Sequence, residues 1–370
     1  MTEDKATRYH RLRRRAEIAG LIWAATSTAA VLLSGAAAGM RDAALQLQVP
    51  TAAVPLIAAL LVLAYEAGAL PLAWYAWRLD RRYGLSHQPP REWLADQAKG
   101  IALGLVLAAI AAAVVYGAMA RFGGRWWLVA GGVMALFVAV LATLAPVLLL
   151  PLFFRFRPLD RPALVRRLRD LAEAAGTRVM GVYEWTLGSK TRRANAALAG
   201  IGATRRIIIS DTMLEQYSDD EIAVVLAHEL GHHVHHDIWR ALAAEAAVVL
   251  AGFYAADHAL RAFGPALALS GPDDPAGLPL VALAAGAGSI GLTPLALALS
   301  RLHERRADRF ALELTGLAGP FVTAMRRLAA QNLAEERPSR IVRWLFHSHP
   351  PIEERIAVAE QWGREGGKAN

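Results

Sequence analysis

Val224-Val225-Leu226-Ala227-His228-Glu229-Leu230-Gly231-His232 is the stretch that decides how this chain is read. It holds the pattern HExxH in a run without a helix breaker. Ser218-Asp219-Asp220-Glu221, just ahead, offers an N-cap followed by acidic first-turn residues. On a helix, positions i and i+4 share a face, so His228 and His232 can turn imidazole nitrogens toward one metal ion. Glu229 then stands beside the open coordination position, where a zinc hydrolase needs its general base. The bland alternative is a solvated helix that happens to carry two histidines, and the capped, apolar context weighs against it.

Two imidazoles do not complete a hydrolytic zinc site, and Glu304 is the best third ligand. It lies in Ser300-Arg301-Leu302-His303-Glu304-Arg305-Arg306-Ala307-Asp308, directly after an apolar stretch. Asp308 follows by four residues and shares its helix face, so one carboxylate can bind metal while the other accepts the ring N–H of a ligand histidine. By itself this pair reads as surface charge among arginines. Beside an HExxH with no third histidine nearby, the ligand reading prevails. His233, His235 and His236 are expected off the metal, near the helix end at the membrane surface.

The rest of the chain is built for a bilayer. Of its 370 residues 55% are hydrophobic, and the mean hydropathy of +0.31 is too high for an ordinary soluble domain. Six blocks have the length of a membrane span: Ile18 to Met40, Ala52 to Trp77, Ile101 to Ala120, Trp126 to Phe154, Ala241 to Leu260 and Gly277 to Ser300. The fold expected is therefore mainly α, a polytopic membrane protein with six spans around an interior chamber and a cytoplasmic zinc-peptidase domain containing a small β-sheet. The first span is too long, and too soon followed by a second, for a cleaved signal peptide. Glu66 and Glu245 sit inside spans, where they either line a polar chamber or pack helices through a buried partner.

Charge gives the orientation. Lys5, Arg8, Arg11, Arg13, Arg14 and Arg15 precede the first span, and Arg78, Arg81, Arg82, Arg91 and Lys99 lie between the second and third. The intervening loops are poorer in Lys and Arg, so both termini and the HExxH segment are expected in the cytoplasm. The net charge of +8 follows from arginines at membrane edges, where topology and anionic lipid account for them, so no nucleic-acid partner is expected. With no cysteine, thiolate metal sites and disulfides are excluded. Scarce lysine and abundant alanine fit a GC-rich bacterial genome, and hence an inner-membrane location.

The expected organisation is a basic arm at 1–17, a four-span membrane domain at 18–154, a catalytic segment with HExxH at 155–237, two further spans at 238–300, a second catalytic segment with Glu304 and His349 at 301–361, and a tail at 362–370. Within these, Pro162 to Ala175 reads as an amphipathic helix. Val179 to Thr186 and Arg206 to Ser210 read as strands, with Arg193 to Gly200 as an edge strand between them. Leu302 to Thr315 and Gly319 to Asn332 read as helices, the first ended by Gly316.

Taken together, these residues resemble the membrane-embedded gluzincin metallopeptidases, most closely the type 1 CAAX prenyl proteases. Besides HExxH and Glu304, the resemblance rests on Tyr83-Gly84-Leu85-Ser86-His87-Gln88, on Trp93 to Gly100, on Pro151 to Leu159, on Gly188-Ser189-Lys190, Asn195-Ala196 and Ser210-Asp211-Thr212, and on His347-Ser348-His349-Pro350-Pro351 with Glu354-Arg355. It implies one Zn2+ per chain and peptide-bond hydrolysis near the C-terminus of a peptide or protein substrate that carries lipid in the family's own case. It also implies a substrate-contacting, oxyanion-stabilising role for His349 and a substrate-backbone role for Asn195. Arg193-Ala194 and Ala197 depart from the family's usual polar and aromatic residues there, which bears on substrate preference. Two other readings compete: a quality-control protease for damaged membrane proteins, and a transporter or receptor using zinc structurally. The last requires a closed four-ligand site and no base, whereas the sequence supplies three ligands and Glu229.

Overall fold

The computed structural model describes residues 4–200, 202–335 and 338–366. The chain opens on helix α1, Lys5–Leu33, so the basic residues before the first span belong to the same helix as the span itself. The break falls at Ser34 and Gly35, earlier than the apolar block suggests, because Gly35 takes a left-handed φ of 76° and starts a separate helix α2, Ala36–Gln46. Helices α3 (Ala53–Arg82), α4 (Pro90–Phe122) and α5 (Trp126–Leu148) follow. A three-residue turn, Gly123–Arg125, separates the last two.

A short strand, β1 (Phe156–Pro158), leads out of the apolar region and was not legible in the sequence. Next come α6 (Pro162–Ala174), β2 (Gly181–Trp185), β3 (Ala196–Ala199), β4 (Arg206–Ser210), α7 (Asp211–Gln216) and α8 (Asp219–Val234). The sheet order is β1-β2-β4-β3, with β2 and β4 parallel and the outer pairs antiparallel. The segment around Ala196 is thus an edge strand as expected, following β2 in the chain and pairing with the outer side of β4. Strand β4 is buried on both faces. Ile207 and Ile209 join Leu164, Leu168, Leu226 and Leu230 under the helices, and Ile208 packs with Trp185 and Leu187 on the opposite side. Side chains so enclosed contribute about 1.5–3 kcal/mol each, which anchors α8 to the sheet.

Helix α9 (Asp237–Phe263) returns to the apolar region and α10 (Leu278–Thr315) comes back from it. The expected span and the expected charged helix are one continuous α10, ended by Gly316 at φ 68°. Helices α11 (Ala318–Asn332), α12 (Arg340–Phe346) and α13 (Ile352–Arg364) complete the catalytic part.

Among the described residues five stretches are long and apolar enough to cross a membrane, and the third, Pro90–Leu144, holds α4 and most of α5. Only 11–22% of each apolar window is buried, so most of these side chains face outward, an arrangement that a bilayer accommodates and water does not. The six long helices pack in the cyclic order α1-α3-α4-α5-α9-α10, and α10 meets α1 again to close the ring. Glu66 is half-buried on α3 and Glu245 exposed on α9. The chain is an integral-membrane, multi-pass protein, and helix α8, which carries HExxH, packs against α10 without being one of the six ring helices.

Candidate metal centre and active site

Helix α8 begins with a reciprocal cap. Ser218 Oγ accepts from Glu221 N at 3.2 Å, and a Glu221 carboxylate oxygen accepts from Ser218 N at 2.8 Å. From that start the helical repeat carries His228 and His232 to the face turned toward α10. The two helices approach closely because Gly231 has no side chain: a Cβ there would lie 3.0 Å from Ala307 Cα. The contact brings Glu304 against both imidazoles. His228 Nε2 lies 3.4 Å from Glu304 Oε2, His232 Nε2 lies 3.3 Å from Oε1, and the two Nε2 atoms are 3.2 Å apart. Among the described residues these three form a group whose ligand atoms lie within 4.8 Å of one another.

The donor set fits a metal ion. Each ring has its other nitrogen committed: His228 Nδ1 lies 2.8 Å from Asp308 Oδ1, and His232 Nδ1 lies 3.1 Å from Asp237 Oδ2. With Nδ1–H donated to a carboxylate, each neutral ring turns a bare Nε2 lone pair toward the other and toward an anionic carboxylate. Among the described residues Glu304 Oε2 is buried without a hydrogen-bond partner. Three electron-rich atoms facing one another in a buried place repel unless a cation lies among them. Without metal, a proton does part of that task. Burial alone would push His228 down, yet the carboxylates of Asp308 and Glu304 on either side of the ring hold it up at about 9. His232 is raised in the same sense, burial being outweighed by Glu304.

Asp308 is itself fixed by Arg355, whose Nε and a terminal nitrogen donate at 2.8 and 2.5 Å from the buried start of α13. Glu354-Arg355 entered the sequence reading only as part of a motif, so Arg355 went unassigned. Asp237 was missed altogether, because no periodic signal marks a carboxylate just past the end of a helix. His233, His235 and His236 stay outside the ligand group: the His235 ring turns back to the Gly231 carbonyl at 2.7 Å, and His236 takes the left-handed conformation between α8 and α9.

Glu229 follows His228 on α8 and lines a cavity of about 500 Å³ together with His228, His349 and Asn195. Burial pushes its carboxyl up from the ordinary range, the direction a base needs to work near neutrality. His349, from the turn between α12 and α13, places Nε2 3.2 Å from Glu304 Oε1 while its Nδ1 meets Ser348 Oγ at 2.8 Å. Asn195 leads into β3, with its N–H donating to Ser210 Oγ at 2.9 Å and its carbonyl accepting from Ser210 N at 2.9 Å. His10, Arg13, Arg14 and Glu17 of α1 form another wall of the same cavity, a role that no local pattern in the N-terminal segment announces.

A ring of long apolar helices, with two histidines on α8 meeting a glutamate of α10 beside a free carboxylate, defines an integral-membrane metallopeptidase. The comparisons agree. The pattern of peptidase family M48 matches residues 158–363, and that of the CAAX prenyl protease N-terminal region, five membrane helices, matches residues 2–155. The chain belongs to peptidase family M48. It is 33% identical to the metalloprotease YhfN of Bacillus subtilis, described as uncharacterized, over 79% of this chain and 70% of that protein. It is 25% identical to a probable CAAX prenyl protease 1 of Schizosaccharomyces pombe over 75% of this chain and 59% of that protein. The fold is similar to the crystal structure of S. mikatae Ste24p, with a TM-score of 0.82 at 21% identity over 96% of this chain and 87% of that one. Family membership implies a metal and removes the reading as a transporter or receptor.

Proposed function

We propose that this chain is a zinc endopeptidase that trims the C-terminal tails of membrane-associated substrates, in the manner of the CAAX prenyl proteases it is similar to. One observation carries the reading. His228 of the cluster with His232 and Glu304 lines one cavity together with Glu229, which stands outside that ligand group, and the distant His349, with Asn195 leading into an edge strand on its wall. His228, His232 and Glu304 would hold one zinc ion per chain, and Asp308 sets the tautomer and direction of His228. Bound zinc lowers the pKa of water and polarises a carbonyl oxygen.

The remaining steps belong to the protein's own groups. Glu229 takes a proton from the attacking water and passes it to the leaving amine. His349 Nε2 faces the Glu304 carboxylate, which calls for a proton on Nε2. In that tautomer Nδ1 accepts from the Ser348 hydroxyl, and neutral His349 can donate Nε2–H to the oxyanion. Asn195 offers its side chain to the substrate backbone where a peptide can add to the open side of β3. The same reading puts both termini and the catalytic segments in the cytoplasm of a bacterial cell, with the ring in the inner membrane and substrates supplied as peptides or proteins, lipidated or not.

The test is a pair of reporter peptides, one prenylated at its C-terminal cysteine and one not, given to the purified chain in lipid bilayers. Preferential cleavage of the prenylated peptide supports the substrate class. Equal cleavage keeps the endopeptidase and removes any requirement for the lipid.

A further inference from the structure

His232 is oriented by a carboxylate that lies outside the HExxH pattern, and we propose that Asp237 is a positioning residue for the metal centre, paired with Arg306 as Asp308 is with Arg355. The inference rests on the assignment of His228, His232 and Glu304 as metal ligands. Helix α8 stops at Val234, and His236 at φ 56° turns the chain sharply enough for Asp237, the first residue of α9, to come back to His232. Its side chain is 5% exposed. Oδ2 faces His232 Nδ1 at 3.1 Å, and Oδ1 accepts from the Arg306 guanidinium, with His303 Nε2 and Arg240 each 3.7 Å away. The two oxygens are thus divided between a ligand ring and an arginine.

Burying a carboxylate is costly without charged or hydrogen-bonding partners. Asp237 has Arg306 and the positive end of α9. An anion stabilised in this way holds the Nδ1–H tautomer of His232, turns Nε2 toward the metal and raises the basicity of the ring. The two ligand histidines are therefore clamped from different sides. His228 depends on α10 and α13 through Asp308 and Arg355, whereas His232 depends on α9 and α10 through Asp237 and Arg306. Since α9 and α10 are neighbours in the membrane ring, the direction of one metal ligand is set by the junction of two membrane helices.

The experiment uses the full chain in detergent or nanodiscs, with zinc affinity measured by chelator competition and the cobalt(II)-substituted protein followed by visible absorption. Asp237→Ala should weaken zinc about 10- to 100-fold and shift the cobalt bands. Asp237→Asn, which keeps an acceptor oxygen of the same reach, should lose less, and Arg306→Gln less still. Zinc affinity and cobalt bands identical to wild type in Asp237→Ala would overturn the proposal, whatever the melting temperature does, because a carboxylate that merely ties α9 to α10 leaves both unchanged. Should Asp237→Ala fail to fold, Asp237→Asn decides by the same two readouts. His232→Ala separates the two levels of the argument: if it binds zinc like wild type, the ligand assignment itself fails. If it loses zinc while the Asp237 variants do not, only the positioning role falls.

Discussion

Gly231 faces the backbone of Ala307 so closely that a Cβ at this position would sit 3.0 Å from Ala307 Cα and 3.2 Å from the Phe310 ring. This contact, inside the HExxH pattern itself, sets the separation of α8 and α10. Glu304 lies one helical turn before Ala307 and Asp308 lies directly after it. Both carboxylates reach His228 because the helices can come this near.

Gly231→Ala should therefore act on the metal as well as on stability. The methyl group must displace α10 by a few tenths of an ångström, with an overpacking cost of about 1–3 kcal/mol. Helix propensity returns about 1 kcal/mol, since alanine is the better helix former. We expect a small change in melting temperature together with weaker zinc binding by chelator competition. A bulkier Gly231→Val should lose the metal outright. Wild-type affinity in Gly231→Val would mean that Glu304 does not depend on this contact.

Glu229→Gln keeps the shape of the side chain and removes the base. Zinc content should equal wild type, and peptide hydrolysis should fall by at least about 10²- to 10⁴-fold. His232→Ala, by contrast, should lose metal and activity together. Near-normal turnover in purified Glu229→Gln would assign the base elsewhere.

Metal uptake should depend on pH with a definite sign. In the metal-free protein His228 holds its proton up to about 9, and a metal ion must expel that proton to reach Nε2. Raising the pH toward that value therefore favours the metal, by about tenfold in apparent affinity per unit for one proton, and the gain levels off above it. Isothermal titration in buffers of different ionisation enthalpy should show proton release near neutrality. A flat affinity between pH 7 and 9 would mean that Asp308 and Glu304 do not hold His228 protonated.

The parts that sequence reading recovers are those written locally. The capped HExxH helix, strand β4 and the Gly316 stop all follow from signals within one turn or one strand. Glu304 and Asp308 are legible because both lie on one helix at i and i+4. What escapes is long-range or lies at a turn. Asp237 reaches His232 only because His236 adopts a left-handed conformation that its residue type does not announce. The unity of α10 is hidden by the change from apolar to charged residues near Ser300, which looks like a boundary although the backbone continues through it. Arg13 and Arg14 look like simple topology signals, yet the closed ring brings α1 to the catalytic cavity. There Arg14 pairs with Glu335 at 2.5 Å and Arg13 with Asp80 at 3.3 Å.

Orientation can be tested without enzymology. A reporter fused after Arg340 should be cytoplasmic, and one inserted beside Asp273, in the connection between α9 and α10, should lie on the opposite face. The second site should stay near the surface, avoiding Asp274, which is buried and bound to Arg41 at 2.5 Å. Cytoplasmic labelling at both positions would remove α9 or α10 as a membrane span.

His349 offers the sharpest separation of metal binding from catalysis. It reaches Glu304 only through the fold, at 3.2 Å, and its side chain remains 58% exposed, open to a bound substrate. The two ligand histidines are more enclosed, His228 at 9% and His232 at 26% exposed. If His349 donates Nε2–H to the developing oxyanion, its contribution appears in the transition state and hardly at all in ground-state binding. His349→Ala should then lower kcat by roughly a hundredfold or more with little change in KM, while zinc content and melting temperature stay near wild type. His349→Gln, which retains an N–H donor of similar reach, should recover part of the loss. Zinc lost from His349→Ala would make it a ligand and overturn the three-residue assignment. An unchanged kcat would leave the oxyanion to the metal and Asn195, and His349 would be only the residue that turns the chain into Pro350 and Pro351.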